Sequence, residues 1–160
     1  MKSLKELFVH ELKDLYDAEH QLVDALPAMA KAASTSELST AFKDHLKLTQ
    51  THIDRLEQVF KAVDEKPTRE TCAGMKGLIK EGQKVLEEDM SATVRDAALI
   101  SAAQRVEHYE MAGYGTLRTF AHLLGESDAA MLLQQSLDEE EMTDKHLSQL
   151  AHTVNEAALS

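Results

Sequence analysis

The chain has 160 residues and a formal net charge of −11. That length suits one domain with its own core, and that charge argues against nonspecific binding to nucleic acid or to an anionic membrane. Only six Gly and two Pro interrupt a composition rich in Ala, Leu, Glu, Gln and Lys, which predicts an all-α fold. The N-terminal segment MKSLKELFVHELKDLYD is charged throughout and lacks the apolar centre of a signal peptide. No stretch approaches the ~18 apolar residues of a membrane span. The single cysteine, Cys72, leaves no internal disulfide and no Cys-rich zinc site. It falls in an expected loop and reads as incidental. Together these features predict a cytoplasmic protein, with residues 1–160 forming a single domain.

Ser3 and Glu6 form a capping box, and a helical pattern follows to about Ala33. Its apolar line runs Phe8, Leu12, Leu15, Glu19, Leu22, Leu26, Met29, Ala33, in steps of three and four. Pro27 lies inside it and predicts a kink. Ser34 and Glu37 read as a second capping box, opening a helix to about Asp64 with the stripe Leu38, Phe42, His45, Thr49, His52, Leu56, Val59, Val63. So short a connection predicts an antiparallel hairpin. Residues 64–74 have loop chemistry, and Met75 to about Glu88 reads as a shorter helix weakened by Gly77 and Gly82. It would form part of a crossover. A third long helix, from about Ser91 to Leu124, carries Ile100, Ala103, Glu107, Glu110, Tyr114, Leu117 and Ala121 on one line. Gly125 suits a C-terminal cap, and Ser127 would cap a fourth long helix carrying Leu133, Leu137, Glu140, Asp144, Leu147, Ala151 and Val154. Two helical hairpins joined by a long crossover give the ferritin-like, antiparallel four-helix connectivity with one extra short helix.

The stripes carry residues that a core should not contain. Glu19 occupies a core position between Leu12 and Leu26, and His45, Thr49 and His52 make a polar band midway along the second helix. Glu107 and Glu110 are three apart and point the same way. Glu140 lies on a heptad line between Leu133 and Leu147, with Asp144 one turn on. Buried carboxylates cost several kcal/mol unless neutralised. The middles of antiparallel helices meet at one level, and oxygen-rich ligands with imidazole suit iron or manganese. Two divalent ions would offset about four carboxylate charges. The bland reading is that these groups sit solvated at stripe edges or pair with Arg55, Arg105 or Arg118. His10, His20, His108, His122, His146 and His152 lie off the central line or near helix ends and read as solvated; His108 is a candidate to hold a neighbouring carboxylate. The methionines read as core filler, and Tyr114, one turn past Glu110, as ordinary packing before a ligand partner. There is no HExxH, no Gly-rich phosphate loop and no GxSxG.

The segments LKDLYDAEHQL (12–22), HLKLT (45–49), RDAALISAAQRVEHYEMAGYGTL (95–117) and LDEEEMTDKHL (137–147) resemble the YciF-like stress-protein family of the ferritin-like superfamily. The resemblance covers nearly the whole chain, CAGMKGLIKEG (72–82) included. It implies five helices, a four-helix ferritin-like core, a homodimer and a role in bacterial stress. It supplies no reaction. Di-iron members of the superfamily use one glutamate from each of two helices and a Glu-x-x-His from each of the other two. By position, Glu19 matches the first-helix glutamate, and Glu107 and Glu110 match third-helix carboxylates. Thr49 departs from this pattern where Glu would precede His52, and Thr143 departs where His would follow Glu140.

Two functional readings stand open. In the first, the bundle binds one or two iron or manganese ions through Glu19, Glu107, Glu110, Glu140 and His45, with His52 in reserve and Asp144 as a ligand or nearby base. Its chemistry would be ferroxidase- or peroxidase-like: Fe(II) oxidation or peroxide disposal. In the second, a non-catalytic dimeric stress or scaffold protein keeps the bundle without a working metal site. A weaker third reading is a module that binds partners through the crossover helix.

Overall fold

The computed structural model describes residues 1–159, which form five α-helices: α1 (Leu4–Ala32), α2 (Ser36–Ala62), α3 (Ala73–Glu87), α4 (Ala92–Leu123) and α5 (Ser127–Ala157). Among the described residues there is no strand. The α1–α2 and α4–α5 hairpins pack side by side, with α1 against α4 and α2 against α5. The short α3 lies outside this four-helix bundle, on the α1–α4 side. None of the described helices is long and apolar enough to cross a membrane.

Each long helix turns its predicted stripe inward. Leu12, Leu38, Leu56, Ile100, Leu117 and Leu133 are among the fully buried side chains. Burying a side chain of this size contributes about 1.5–3 kcal/mol. Pro27 is exposed, and α1 continues unbroken past it. The missing donor of an exposed proline costs less than giving up Met29 and Ala30, which lie buried beyond it.

The helix ends correct several sequence expectations. Ser3 caps α1 by accepting from the Glu6 amide, as its capping box predicts. At α2 the capping residue is Thr35, whose hydroxyl accepts from the Leu38 amide. Ser34 is engaged elsewhere: its amide and hydroxyl both donate to Asp96 of α4. At α5 the capping position falls on Glu126, without a side-chain bond, and Ser127 is the first helical residue. Gly125 has φ +78, a left-handed conformation that suits glycine and ends α4.

Cys72 is not incidental. It is buried, its Sγ caps α3 by accepting from the Met75 amide, and it lies 3.0 Å from the Tyr109 hydroxyl. Its amide donates to Asp17 of α1, which also accepts from Gln21 and from Arg69 in the connection before α3. Asp17 thus pins the crossover to α1, as Asp96 pins the α1–α2 turn to α4.

Candidate metal centre

At mid-bundle, four helices deliver carboxylates and imidazoles to one level. Glu19 comes from α1, His45 and His52 from α2, Glu107 and Glu110 from α4, and Glu140 from α5. All six side chains are buried, none more than 5% exposed. They fall into two sets, each close enough to share an ion: His45, Glu107, Glu110 and Glu140, and Glu19, His52 and Glu140. Glu140 belongs to both.

The contacts within the cluster are close but poorly bonded. His45 Nε2 is 3.1 Å from Glu107 Oε1, and His52 Nδ1 is 2.9 Å from Glu140 Oε1 and 3.4 Å from Glu19 Oε1. Yet His45 Nδ1 and Nε2, His52 Nδ1, both oxygens of Glu110 and Glu140, and one oxygen each of Glu19 and Glu107 lack a hydrogen bond of acceptable geometry. Native interiors rarely leave polar atoms in this state, and here they converge. Outside the cluster, the one other buried side-chain atom so placed among the described residues is Arg95 Nε.

Electrostatics records the same shortage of donors. Burial, then the charge of Glu140, pushes the Glu107 and Glu110 carboxyls well above the usual range. Burial also pulls His45 down, toward its neutral form. Burial would lower His52 too, but the close approach and charge of Glu140 and Glu19 win, and it is pushed up to about 10. Glu140 is moved up by burial and then, on balance, down by His52 and His45.

None of the three candidate arginines neutralises this cluster. Arg55 pairs with Glu139, Arg105 lies 3.8 Å from Glu81 and Arg118 donates to Gln134. Two tyrosines differ in their use. Tyr114 does more than pack: fully buried, it donates its hydroxyl to Glu19 Oε1, and burial raises its phenol well above the ordinary value. Tyr109 serves Cys72 and Asp14 instead.

Asp144 stands apart from the six. Its side chain is 20% exposed, accepts from Gln104 and lies 3.4 Å from His108, which is largely exposed. The two threonines at the departures from the di-iron pattern turn back to their own helices. Thr49 Oγ1 donates to the His45 carbonyl and Thr143 Oγ1 to that of Glu139. Sequence reasoning missed Glu139. It accepts from His52 Nε2 at 2.8 Å and from both Arg55 terminal nitrogens, tying α5 to α2. The signal was present in His52 and Arg55, three apart on one face of α2.

The residues suit a cation pair. Four buried carboxylates match the charge of two divalent ions, one imidazole stands in each set, and the donor atoms are oxygen and nitrogen only.

Comparison with known proteins agrees with the fold. The pattern of the family described as Domain of unknown function (DUF892) matches residues 3–159. Protein YciF of Escherichia coli K12 is 48% identical over 160 residues, covering 99% of this chain and 96% of that one. The crystal structure of the E. coli stress protein YciF superposes with a TM-score of 0.95 at 46% identity, over 98% of this chain and 99% of that one. YcfI of Rhodopseudomonas palustris gives 0.90 at 41% identity, over 92% and 94%. A Xanthomonas campestris protein gives 0.77 at 20% identity, over 98% and 95%, a likeness of fold alone.

Proposed function

The chain belongs to the DUF892 family, together with the stress protein YciF, and on that premise we propose that it is a metal-binding, ferritin-like protein of the bacterial stress response. The two ligand sets would hold one or two iron or manganese ions, and Glu140 belongs to both sets. Glu19 and His52 complete one set and His45, Glu107 and Glu110 the other. The observation that carries this reading is the convergence of unpartnered, buried acceptor atoms on one level of the bundle. Left without cations, they must be neutralised by bound protons instead, as the raised Glu107 and Glu110 carboxyls record.

When bound, iron or manganese supplies one-electron redox chemistry, suited to Fe(II) oxidation or to peroxide disposal. The protein's own part is to orient and to exclude water. Tyr114 fixes the Glu19 carboxylate through its hydroxyl, and Glu139 fixes the His52 ring from its far nitrogen. Leu22 and Leu137, one turn from Glu19 and Glu140 on the same stripes, are buried and add apolar surroundings to the cluster. As a homodimer in the cytoplasm the protein forms no shell, so this reading is not one of iron storage.

The departures at Thr49 and Thr143 favour one alternative, a non-catalytic scaffold that keeps the bundle without metal. Elemental analysis after purification without chelator, followed by anaerobic Fe(II) titration, separates the two. The metal reading expects one or two equivalents of iron or manganese, lost in folded Glu19→Ala and Glu110→Ala variants. No metal, and no Fe(II) binding at about tens of micromolar, would leave the scaffold.

A further inference from the structure

Beside the cluster, a cavity of about 500 Å³ runs from the surface between α2 and α5 into the bundle. Leu22, Leu26, Met29, Phe42, Val106 and Leu147 line it, and all six are buried residues of the core. Its volume falls within the roughly 300–1,000 Å³ of small-molecule sites. It is a cleft open at the surface whose apolar wall lies among buried core residues.

The floor and the mouth define what would fit. His45 and Glu107 form the polar floor, 5% and 1% exposed, and His45 Nδ1, His45 Nε2 and Glu107 Oε2 there lack hydrogen-bond partners. At the mouth stand Asp44, Glu139 and His146. The two acids are already paired, Asp44 with Lys47 at 3.2 Å and Glu139 with Arg55 at 2.8 Å. Neither acid at the mouth is left unpaired to recognise a cationic headgroup. Met142 is the one largely exposed apolar side chain on this rim. The apolar wall is set back among buried core residues behind Asp44, Glu139 and His146, so a small molecule reaches it more readily than the face of a second copy.

We propose that this cleft binds an uncharged, mainly hydrocarbon small molecule carrying one hydrogen-bonding end, held with that end against His45 and Glu107. Apolar burial supplies the affinity, and the orphaned floor atoms orient the ligand. The apolar lining does not depend on metal, whereas His45 and Glu107 are shared with the proposed metal set, so the ligand's polar end meets them directly in the metal-free protein. A failed metal titration leaves it intact, and a failed ligand assay leaves the metal reading intact.

The test is fluorescence titration of the purified full chain, as isolated and after chelation, with the uncharged probe N-phenyl-1-naphthylamine. Straight-chain alcohols from hexanol to decanol then compete. Saturable binding is expected, with alcohol affinity rising about fourfold per methylene until the cleft is filled. Decanoate should compete less well than decanol, because its charge would have to be buried against Glu107. Leu48→Arg at the mouth and Ala103→Phe in the wall should each weaken probe binding by about tenfold or more. Leu48 is half-exposed, so its variant keeps the test open should the other fail to fold. Absence of saturable binding, affinity indifferent to chain length, or binding unchanged in a folded Leu48→Arg would overturn the proposal. Binding confined to dissociated monomer in sedimentation experiments would also overturn it, by giving the cleft to a second copy.

Discussion

Asp96 and Glu110 are buried carboxylates on the same helix, 1% and 0% exposed, but their surroundings are opposite. Asp96 accepts from the Ser34 amide, the Ser34 hydroxyl and the Thr35 amide. Glu110 has no hydrogen-bond donor at either oxygen and three acidic neighbours, Glu140, Glu19 and Glu107. The first is a solved problem: donors replace the lost water, and the group becomes a fastener for the α1–α2 turn. The second is solved only by protons or by cations. Burial alone therefore does not mark a functional carboxylate. Burial without donors is what sets Glu110 apart from Asp96.

The comparison can be broken most decisively at Asp96. Asp96→Ala strands three donors at a helix start and should cost about 3 kcal/mol, read as a lower urea midpoint at unchanged m-value. Loss of under about 0.5 kcal/mol, the usual effect of a neutral surface change, would mean that Asp96 is no fastener. Next in size is metal. Mn(II) at about a hundred times its Kd should add about 2.7 kcal/mol, seen as a raised Tm in calorimetry and absent from Glu19→Ala. In chelator, Glu110→Gln should be neutral or stabilising by up to about 1 kcal/mol, because it removes an unneutralised acid from the core. If it destabilises as Asp96→Ala does, the contrast between the two carboxylates is lost.

The smallest effect concerns Cys72, whose amide Asp17 holds. Burial pushes its thiol up. A raised acid favours the folded state while the thiol is neutral. This contribution is full below the ordinary thiol value near 8.5 and fades as pH rises toward the raised one. Alkylation by iodoacetamide at pH 8 should be about tenfold or more slower in the native protein than in urea. Equal rates would show that Cys72 is open to solvent.

Much of this was legible in the chain because the relevant signals are local or periodic. Four stripes at helical spacing gave four long helices, and Glu19, His45, Glu107, Glu110 and Glu140 stood out as charge on those stripes. What stayed hidden depends on contacts between distant segments. Ser34 looks like a cap in sequence, but Asp96, sixty-two residues on, claims it. Cys72 looks idle in sequence because Asp17 and Tyr109 reach it only once the crossover folds back. Asp144 continues the α5 line, yet the helix turn carries it out to Gln104 and His108. Glu139 was passed over for the opposite reason. It lies off the stripe, and its value comes from facing α2.

That clasp of Glu139 with His52 and Arg55 reaches beyond the atoms it joins. Helices held by apolar stripes alone can slide past one another by a heptad and still bury leucine on leucine. A directional polar contact forbids the slide, as a single polar residue does in a coiled coil. Here Arg55 grips Glu139 through two nitrogens and reaches Ser136 one turn back, so α5 has one permitted register on α2. The height of Glu140 relative to Glu19 and His52 is consequently set from outside the cluster, by an arginine that touches none of its carboxylates.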